Sequence, residues 1–189
     1  TPLGIVRRVQ RLGIKAFSIT DHDSVKALAQ VRNELDGVEY PKLIPGVEIS
    51  AFEGTTDIHI LGYHIDDQDQ TFIGALAHLR DRRKARAADI VTRLNELGVK
   101  LTYSDVLDAA DGAAVTRPHI AKALLNKGFV KRHGDAFSRY PANGHPASVP
   151  HQPVSQAKAI ELIHDAGGVA VPDYPGETVR HALVSRQVR

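Results

Sequence analysis

The stretch AFSITDHDSVKAL, residues 16–28, places an Asp-His-Asp triplet directly after a mainly apolar run. Residues 16–19 have the composition of a buried strand, and the helical spacing of apolar residues begins at Val25. The triplet at residues 21–23 therefore lies where the strand is expected to end. Burying such a triplet is unfavourable by several kcal/mol unless a partner binds its polar groups. The stretch thus predicts a strand–helix unit whose connection belongs to a binding site.

The neighbouring segments continue this alternation of helix and strand. The strand pattern LIPGVEIS is interrupted by Pro45-Gly46, and the strand pattern IHILGYHI contains Gly62. Helix, strand, helix, strand is the rhythm of an α/β sheet or barrel, and this is the fold class that we expect. The predicted helices are 2–12, 24–36 and 156–168, and the predicted strands are 14–20, 43–50, 58–65 and 168–171.

The rhythm changes in the middle of the chain, where helical patterns follow one another without strands. Ser104 is the expected N-cap of one of these helices, and Pro118 is expected to open another. The sequence therefore predicts an α/β domain and an all-helical insertion subdomain, formed by residues 1–65 with 155–189 and by residues 66–154 respectively.

The composition limits the possible classes of protein. The 189 residues are 42% hydrophobic and 24% charged, with a formal net charge of +2, which is ordinary for a soluble globular protein. No apolar run is long enough for a membrane helix, so we expect no membrane partner and a cytoplasmic location. There is no Cys, so any metal must bind to His, Asp or Glu, and ten His residues are present. There is also no Met, and we expect the chain to be a fragment.

Three side chains of the predicted α/β domain are candidates for one metal site. His22 and Glu48 lie near the carboxyl ends of neighbouring predicted strands, where the ligands of α/β proteins gather, and His59 opens the next strand. Two imidazoles and one carboxylate suit Zn, Mn or Fe. The alternative is that His22 merely caps the following helix and that Glu48 is an isolated carboxylate at the edge of the sheet.

The two aspartates beside His22 have different expected roles. A metal-ligating His usually needs a hydrogen-bond partner that orients its ring, and Asp21 is the candidate for this supporting role. Asp23 is the expected cap of the helix that opens at Ser24.

Five motifs in fixed order resemble the PHP (polymerase and histidinol phosphatase) superfamily. They are ITDHDS, GVEIS, IHILGY, RPHIA and GGVAV, and they extend over almost the whole chain. The resemblance is closest to the stand-alone branch of nucleotide and RNA phosphoesterases that carry a helical insertion.

This resemblance implies a distorted seven-stranded (βα) barrel with two or three divalent metal ions, Mn, Fe or Zn, at its mouth. It implies metal ligands at His22, Glu48 and His59, and substrate contacts from Arg117 and His119. The implied reaction is hydrolysis of phosphate esters of nucleotides, such as 3′,5′-nucleoside bisphosphates, or of short RNA 5′ ends. Such hydrolysis is very slow without a catalyst, and metal ions accelerate it by activating water and neutralising charge on phosphate oxygens.

The sequence also departs from the superfamily pattern. The N-terminal HxH motif and the C-terminal Asp-x-His motif are absent, and Tyr174 stands where the superfamily has a ligating His. With three ligands present, we expect this chain by itself to bind metal weakly and to be weakly active. We also expect it to expose part of its sheet, because the first strand of the barrel would be missing.

Other interpretations of the basic residues remain open. Arg117 is otherwise a solvated loop cation, and His119 is otherwise a buried residue at a helix start. The run RDRRKARAADIVTRL, residues 80–94, is either a track for nucleic-acid phosphates or the solvated face of a long helix. Its apolar stripe at helical spacing, without interleaved aromatic residues, favours the solvated face.

Two classes of function follow. The first is a metal-dependent phosphoesterase whose partner is a nucleotide or a short RNA substrate. The second is a degenerate, non-catalytic PHP module that binds a nucleotide or a polymerase-type partner, and Tyr174 is the residue that favours it.

Overall fold

The computed structural model describes residues 1–53, 56–140, 145–149 and 154–173. The chain divides into two compact units, residues 1–77 with 153–189 and residues 78–152. In chain order the elements are α1 (Pro2–Arg11), β1 (Ala16–Ile19), α2 (Lys26–Glu34), β2 (Lys42–Glu53), β3 (Thr56–Tyr63), α3 (Gln70–Glu96), α4 (Tyr103–Ala110), α5 (Arg117–Asn126), α6 (His133–Arg139), β4 (Val154–Ser155), α7 (Gln156–Asp165) and β5 (Val169–Pro172).

The first unit is built on a five-stranded mixed sheet. Its strands lie in the order β1-β2-β3-β5, and β4 pairs with β2 beside this path. β1 and β4 run parallel to β2, whereas β2 pairs antiparallel with β3, and β3 pairs antiparallel with β5. The α/β class is as the sequence predicts. The antiparallel β2–β3 pair explains why two residues are enough to connect them, since parallel strands need a long crossover.

β2 runs without a break through Pro45-Gly46, unlike the interrupted strand that the sequence suggested. Pro45 has no N–H to donate, but its carbonyl accepts a hydrogen bond from the backbone N–H of His64. Pro45 pairs with Ile19, the last residue of β1, so the missing donor falls at a strand end.

The two faces of the β2–β3 pair differ in polarity. Val47, Ile49 and Ala51 lie opposite Gly62, Ile60 and Ile58 on one face, and these residues are buried. On this face a Cβ atom at Gly62 would lie 3.0 Å from the side chain of Ile163 in α7, so the glycine permits the close approach of that helix. The opposite face carries Glu48, Ser50 and His59. The alternation of a half-buried strand therefore sends the polar side chains to a single face.

A second apolar cluster lies under β1 and the first two helices. It consists of Val6 from α1, Ile19 from β1, and Leu28 and Val31 from α2. Both helices therefore bury one stripe of an otherwise polar surface, as amphipathic helices do. This packing fixes the segment that leads from β1 into α2, and the Asp-His-Asp triplet belongs to that segment.

In the second unit, the described residues form helices around an apolar core. Ile90, Leu94, Leu101, Ile120 and Leu124 are among its fully buried side chains. The α6 helix was not predicted, because HGDAFSR is short and has no apolar period. The N-cap of α4 is Thr102 rather than Ser104: the Thr102 hydroxyl accepts from the Asp105 N–H at 3.2 Å, and the Asp105 carboxylate accepts from the Thr102 N–H at 2.9 Å.

Two arginines of the basic run hold a neighbouring loop. Arg86 Nε donates to the carbonyl of Val149 at 3.0 Å, and Arg93 donates to the carbonyl of Ser148. Lys84 pairs with Asp81 one turn away at 2.8 Å. Arg86, Arg93 and Lys84 of the basic run therefore bind to groups within the protein.

None of the helices in the described part of the chain combines the length and the apolar character that a bilayer-spanning segment requires.

We predict that Gly46→Ala destabilises the first unit by roughly 1–3 kcal/mol, as overpacking does. A Cβ atom at Gly46 would lie 2.2 Å from Ser18 Oγ and 2.9 Å from Thr20 Cγ2, so these side chains or the backbone of β1 must shift. Gly74→Ala is the control, because its Cβ meets nothing within 4 Å inside α3, and it is expected to stabilise the helix by roughly 0.5–1 kcal/mol. Urea unfolding compares the two variants, and equal effects would contradict the close-approach explanation.

We predict that Thr102→Ala lowers the free energy of unfolding by about 1 kcal/mol through loss of the α4 cap. Ser104→Ala removes a hydroxyl two residues later in the chain and is expected to have little effect. Urea unfolding followed by circular dichroism measures both. A larger loss of stability in Ser104→Ala than in Thr102→Ala would show that Ser104 is the cap.

The same cap predicts a pH dependence. The Lys127 ammonium, 2.7 Å away, together with the Thr102 backbone and hydroxyl, lowers the pKa of Asp105 from 3.8 to about 2. Because the folded pKa lies below the unfolded one, this contribution to stability is complete above about pH 4 and is lost as the pH falls toward 2. Asp105→Asn should therefore make unfolding less dependent on pH in this window, and an unchanged pH profile would argue against the contacts of the Asp105 carboxylate with Lys127 and Thr102.

Candidate metal centre

The β2–β3 register brings Glu48 and His59 onto the same face of the sheet. Glu48 lies opposite Leu61 and Ser50 lies opposite His59, so Glu48 and His59 are diagonal neighbours two positions apart. Side chains in such diagonal positions are within reach of each other across an antiparallel pair. The antiparallel hairpin therefore explains how a residue near the start of β3 meets one in the middle of β2.

His22 reaches the same place because the parallel register of β1 and β2 continues past the end of β1. Ile19 pairs with Pro45, and three residues later an isolated parallel bridge joins His22 to Glu48. The backbone N–H of Asp23 donates to the carbonyl of Glu48 at 2.8 Å, and the N–H of Glu48 donates to the carbonyl of Asp21 at 3.2 Å. Both backbone groups of Glu48 are thus bonded to the residues that flank His22.

The three side chains converge on one carboxylate oxygen. His59 Nδ1 lies 2.6 Å from Glu48 Oε1, and His22 Nδ1 lies 3.7 Å from the same oxygen. The two imidazole rings meet edge to face, with centroids 5.0 Å apart and planes at 80°. The side chains are 30%, 16% and 37% exposed for His22, Glu48 and His59, so the group opens to solvent.

This arrangement has the donor atoms of a cation site. One ligand atom from each of the three residues lies within 4.8 Å of the other two. Two imidazole nitrogens and one carboxylate oxygen are a donor set accepted by Zn, Mn and Fe, and the solvent-facing side leaves coordination positions for other ligands. The residues present therefore fit a divalent metal ion. Within the described ranges, they are the one such group of His, Asp and Glu side chains.

Asp23 has a role that differs from the expected helix cap. Its side chain is 2% exposed, its φ is 50°, and its Oδ1 accepts from the backbone N–H of Ser50 at 3.4 Å. α2 instead begins after Val25, which makes no side-chain cap, and Ser24 Oγ accepts from the Lys26 N–H at 3.4 Å. The sequence gives no signal for this role beyond the tolerance of Asp for positive φ.

Asp21 lies at the rim of the group. Its carbonyl accepts from Glu48, as described above, and partial burial raises the pKa of its carboxyl group. Its expected role, orienting the imidazole of His22, stays a prediction.

Arg117 and His119 lie in the second unit, in the first turn of α5, and both are half-buried. The backbone N–H of Thr116 donates to His119 Nδ1 at 3.1 Å, and Thr116 Oγ1 lies 3.0 Å from the same nitrogen. An Nδ1 that accepts a hydrogen bond leaves the proton of the neutral ring on Nε2. Burial, and then the charge of Lys122, lower the pKa of His119. The ring therefore caps α5 through Nδ1, and burial favours its neutral form. The substrate role of both residues stays a prediction.

The remaining histidines of the described segments stand apart from this group. His64 is exposed just beyond β3, with φ of 59°, and His133 Nε2 contacts the carbonyl of Pro118 at 3.1 Å. His151, Tyr174 and His181 lie outside the described residues, so the interpretation of Tyr174 is untouched by the structure.

Comparison with known sequences gives several bacterial relatives. No protein-family model matches the chain. The chain is 36% identical over 178 residues to the 5′-3′ exoribonuclease Rnm of Salmonella typhimurium, a match covering 93% of this chain and 60% of that protein. It is 29% identical over 177 residues to the 3′,5′-nucleoside bisphosphate phosphatase of Chromobacterium violaceum, covering 93% of this chain and 62% of that protein. The chain therefore spans about 60% of the length of these relatives.

Two solved structures resemble the fold. A Bifidobacterium adolescentis protein described as a metal-dependent phosphoesterase superposes with a TM-score of 0.83 at 26% identity, over 92% of this chain and 61% of that one. A Chromobacterium violaceum protein described as an amidohydrolase, with bound sulfate and no metal, gives a TM-score of 0.85 at 27% identity, over 100% of this chain and 68% of that one.

One further relative spans the whole chain. The 5′-3′ exoribonuclease of Haemophilus influenzae is 32% identical over 191 residues, which cover 100% of this chain and 67% of that protein. At this level of identity and coverage, the chain belongs to the same family as these bacterial 5′-3′ exoribonucleases.

Proposed function

We propose that the protein is a metal-dependent phosphoesterase that hydrolyses phosphate esters of nucleotides, either 3′,5′-nucleoside bisphosphates or the 5′ ends of short RNA. The observation that carries the proposal is the convergence of three side chains. Nδ1 of His59 and Nδ1 of His22 lie 2.6 Å and 3.7 Å, respectively, from the same carboxylate oxygen of Glu48. The names of the relatives support the same substrates, since they are exoribonucleases and a bisphosphate phosphatase.

The finer assignments extend this proposal. The five motifs favour the stand-alone branch of the PHP superfamily, in which the mixed sheet of the first unit would belong to a distorted seven-stranded (βα) barrel. The helices of the second unit would then be its insertion. In the whole protein we expect two or three ions of Mn, Fe or Zn, with further ligands beyond the three described here.

The charge of the donor set suits a phosphate ester. When bound, a divalent cation supplies a lowered pKa for water and neutralisation of phosphate oxygens. Two neutral imidazoles and one carboxylate together carry one negative charge, so the occupied centre keeps a net positive charge toward the substrate. Glu48 is the member that sets this balance, and the two histidines lie beside it, His22 from the segment after β1 and His59 from β3.

We extend the proposal to Arg117 and His119 as residues that bind a phosphate group of the substrate. Arg117 offers a planar guanidinium suited to two phosphate oxygens. His119 offers an Nε2 donor, and burial lowers the pKa of its imidazole, which favours the neutral ring. The backbone donors in the first turn of α5 add partial positive charge at the same helix start.

We predict that Glu48→Gln lowers affinity for Mn²⁺ by at least 10- to 100-fold, since loss of even a supporting partner of a ligand has that effect. Hydrolysis of a 3′,5′-nucleoside bisphosphate should fall in parallel. Isothermal titration with Mn²⁺ and phosphate release measure the two effects. Glu34→Gln is the matched control, because Glu34 is an exposed residue at the end of α2 and loses the same charge.

Two results would contradict the proposal. Unchanged Mn²⁺ affinity in Glu48→Gln would remove the metal centre from these residues. Nucleotide binding without any phosphate release, by the full-length protein with Mn²⁺, would favour the non-catalytic module instead.

We predict that Arg117→Lys raises the KM for the bisphosphate about tenfold while kcat changes little. Lys keeps the charge but offers a single point of contact in place of two parallel hydrogen bonds. Steady-state kinetics separate KM from kcat. Arg139→Lys, an exposed change at the end of α6, is the control, and equal kinetics for both variants would exclude a phosphate contact from Arg117.

A further inference from the structure

An exposed aromatic ring with two cations lies at the opposite end of β1 and β2 from the metal centre. Tyr40 is 45% exposed, the Nζ of Lys15 lies 4.7 Å from the centre of its ring, and the Nζ of Lys42 lies 5.8 Å from it. Lys15 directly precedes β1 and Lys42 opens β2. The metal centre, by contrast, lies beyond the end of β1 and in the middle of β2.

The backbone holds the two lysines next to each other. The N–H of Lys42 donates to the carbonyl of Lys15 at 2.9 Å, and Ala16 pairs with Lys42 in the parallel register. Both side chains are exposed. The strand pairing thus holds the backbones of Lys15 and Lys42 side by side, and both ammonium groups lie near the same ring.

A surface cavity adjoins this cluster. It has a volume of about 370 Å³, within the range that accepts a small organic ligand. Its lining includes Pro41 and Lys42, the two residues after Tyr40. Its lining also includes the apolar residues Leu35, Val38 and Leu43 and the charged residues Asp36 and Arg32. Arg32 also pairs with the buried Asp67 at 2.7 Å, so Lys42 is the cation more available to a ligand.

The charges of the cluster favour an anion. One exposed cation–π pair contributes only about 0.5–1 kcal/mol, and two ammonium groups around one ring repel each other. A phosphate placed between Lys15 and Lys42 would relieve that repulsion. A flat base could stack on the exposed Tyr40 ring, and successive phosphates could pair with the lysines, which is how single-stranded nucleic acids bind to aromatic and basic surfaces.

We propose that Tyr40, Lys15 and Lys42 form an accessory site for single-stranded RNA, separate from the metal centre. Tyr40 stacks on a base, and the two lysines contact the phosphates on either side. The choice of RNA as the ligand rests on the proposed function. The six residue steps of β2 from Lys42 to Glu48 span about 20 Å, so a strand with a rise of about 3.4 Å per nucleotide needs about six nucleotides to reach both places.

The test is RNA binding under conditions where no strand is cut. A labelled single-stranded RNA of about twice that length is titrated with the chain in EDTA, and fluorescence anisotropy gives the dissociation constant. Tyr40→Leu should weaken binding about 5- to 30-fold, because it keeps the apolar bulk and removes the stacking ring. Tyr40→Phe should bind like the wild type.

The lysines are tested through salt dependence. The double variant Lys15→Gln and Lys42→Gln should reduce the slope of log affinity against log salt by about 1.4, since each single-strand phosphate contact contributes about 0.7. Lys158→Gln is the matched control, because it removes the same charge from an exposed residue of α7 in the same unit. Thermal melting in the same buffer verifies that every variant is folded.

Several outcomes would overturn the accessory site. These are failure of the wild type to bind RNA, wild-type affinity in Tyr40→Leu, or an equal slope change in Lys158→Gln. Displacement of the strand by adenosine monophosphate at concentrations near the dissociation constant of the RNA would overturn the strand assignment in favour of a free nucleotide.

Activity measurements separate this proposal from the proposed function. Tyr40→Leu should lower kcat/KM for strands longer than about six nucleotides and leave kcat/KM for a nucleoside bisphosphate unchanged. If no substrate is hydrolysed but the EDTA titration still depends on Tyr40, the proposed function fails and the accessory site stands. If the wild type and Tyr40→Leu hydrolyse RNA with the same dependence on strand length, the accessory site is wrong and the proposed function stands.

Discussion

The backbone of Glu48 is the fixed point on which the candidate metal centre depends. Its N–H and its carbonyl are both bonded to the chain that continues from β1, at Asp21 and Asp23. Because both groups face that side, the pair of Glu48 with Leu61 in β3 is a non-hydrogen-bonded one, the type in which opposite residues approach most closely. One residue thus ties a parallel pairing to an antiparallel pairing. The parallel pairing positions His22 and the antiparallel pairing positions His59, so backbone hydrogen bonds set the place of both imidazoles.

Asp23 completes this arrangement where the chain turns away. The N–H of Ser50 faces the same side of β2 as the N–H of Glu48, but by that point the chain has left the sheet toward α2, with Asp23 at φ of 50°. A buried N–H without a partner is unfavourable. The carboxylate of Asp23 accepts from it at 3.4 Å and so takes the place of a strand carbonyl. One residue further along, β4 pairs with Ala51 and continues the sheet. A buried acidic side chain therefore connects the end of one pairing to the beginning of another, beside the metal centre.

The sequence predicts much of this site, and the missing parts have physical causes. The apolar run before the Asp-His-Asp triplet and the alternation in GVEIS are enough, from the sequence alone, to predict that His22 and Glu48 lie at the same edge of the sheet. The alternation cannot say that β3 runs antiparallel to β2, because a period of two is the same in both directions, and the diagonal contact of Glu48 with His59 follows from that direction alone. The sequence predicts a helix cap at Asp23, because Asp is common at that position. Thr102 and Ser104 are both good caps, and the choice between them depends on Asp105, three residues after Thr102, completing the reciprocal pair.

The two ends of the β1–β2 pair carry opposite requirements for charge. At one end a carboxylate between two imidazoles needs a cation, since a half-buried negative group is stabilised by one. At the other end two lysines around Tyr40 need an anion. The formal net charge of the whole chain is only +2, so this polarity comes from placement rather than from composition. The single-stranded RNA that we propose as the ligand would satisfy both ends: its bases and phosphates suit the lysine end, and its terminal phosphate suits a cation held at the other. The separation of the ends along six residues of β2 then sets a minimum length for a strand that uses both, and a mononucleotide can occupy only one of them at a time.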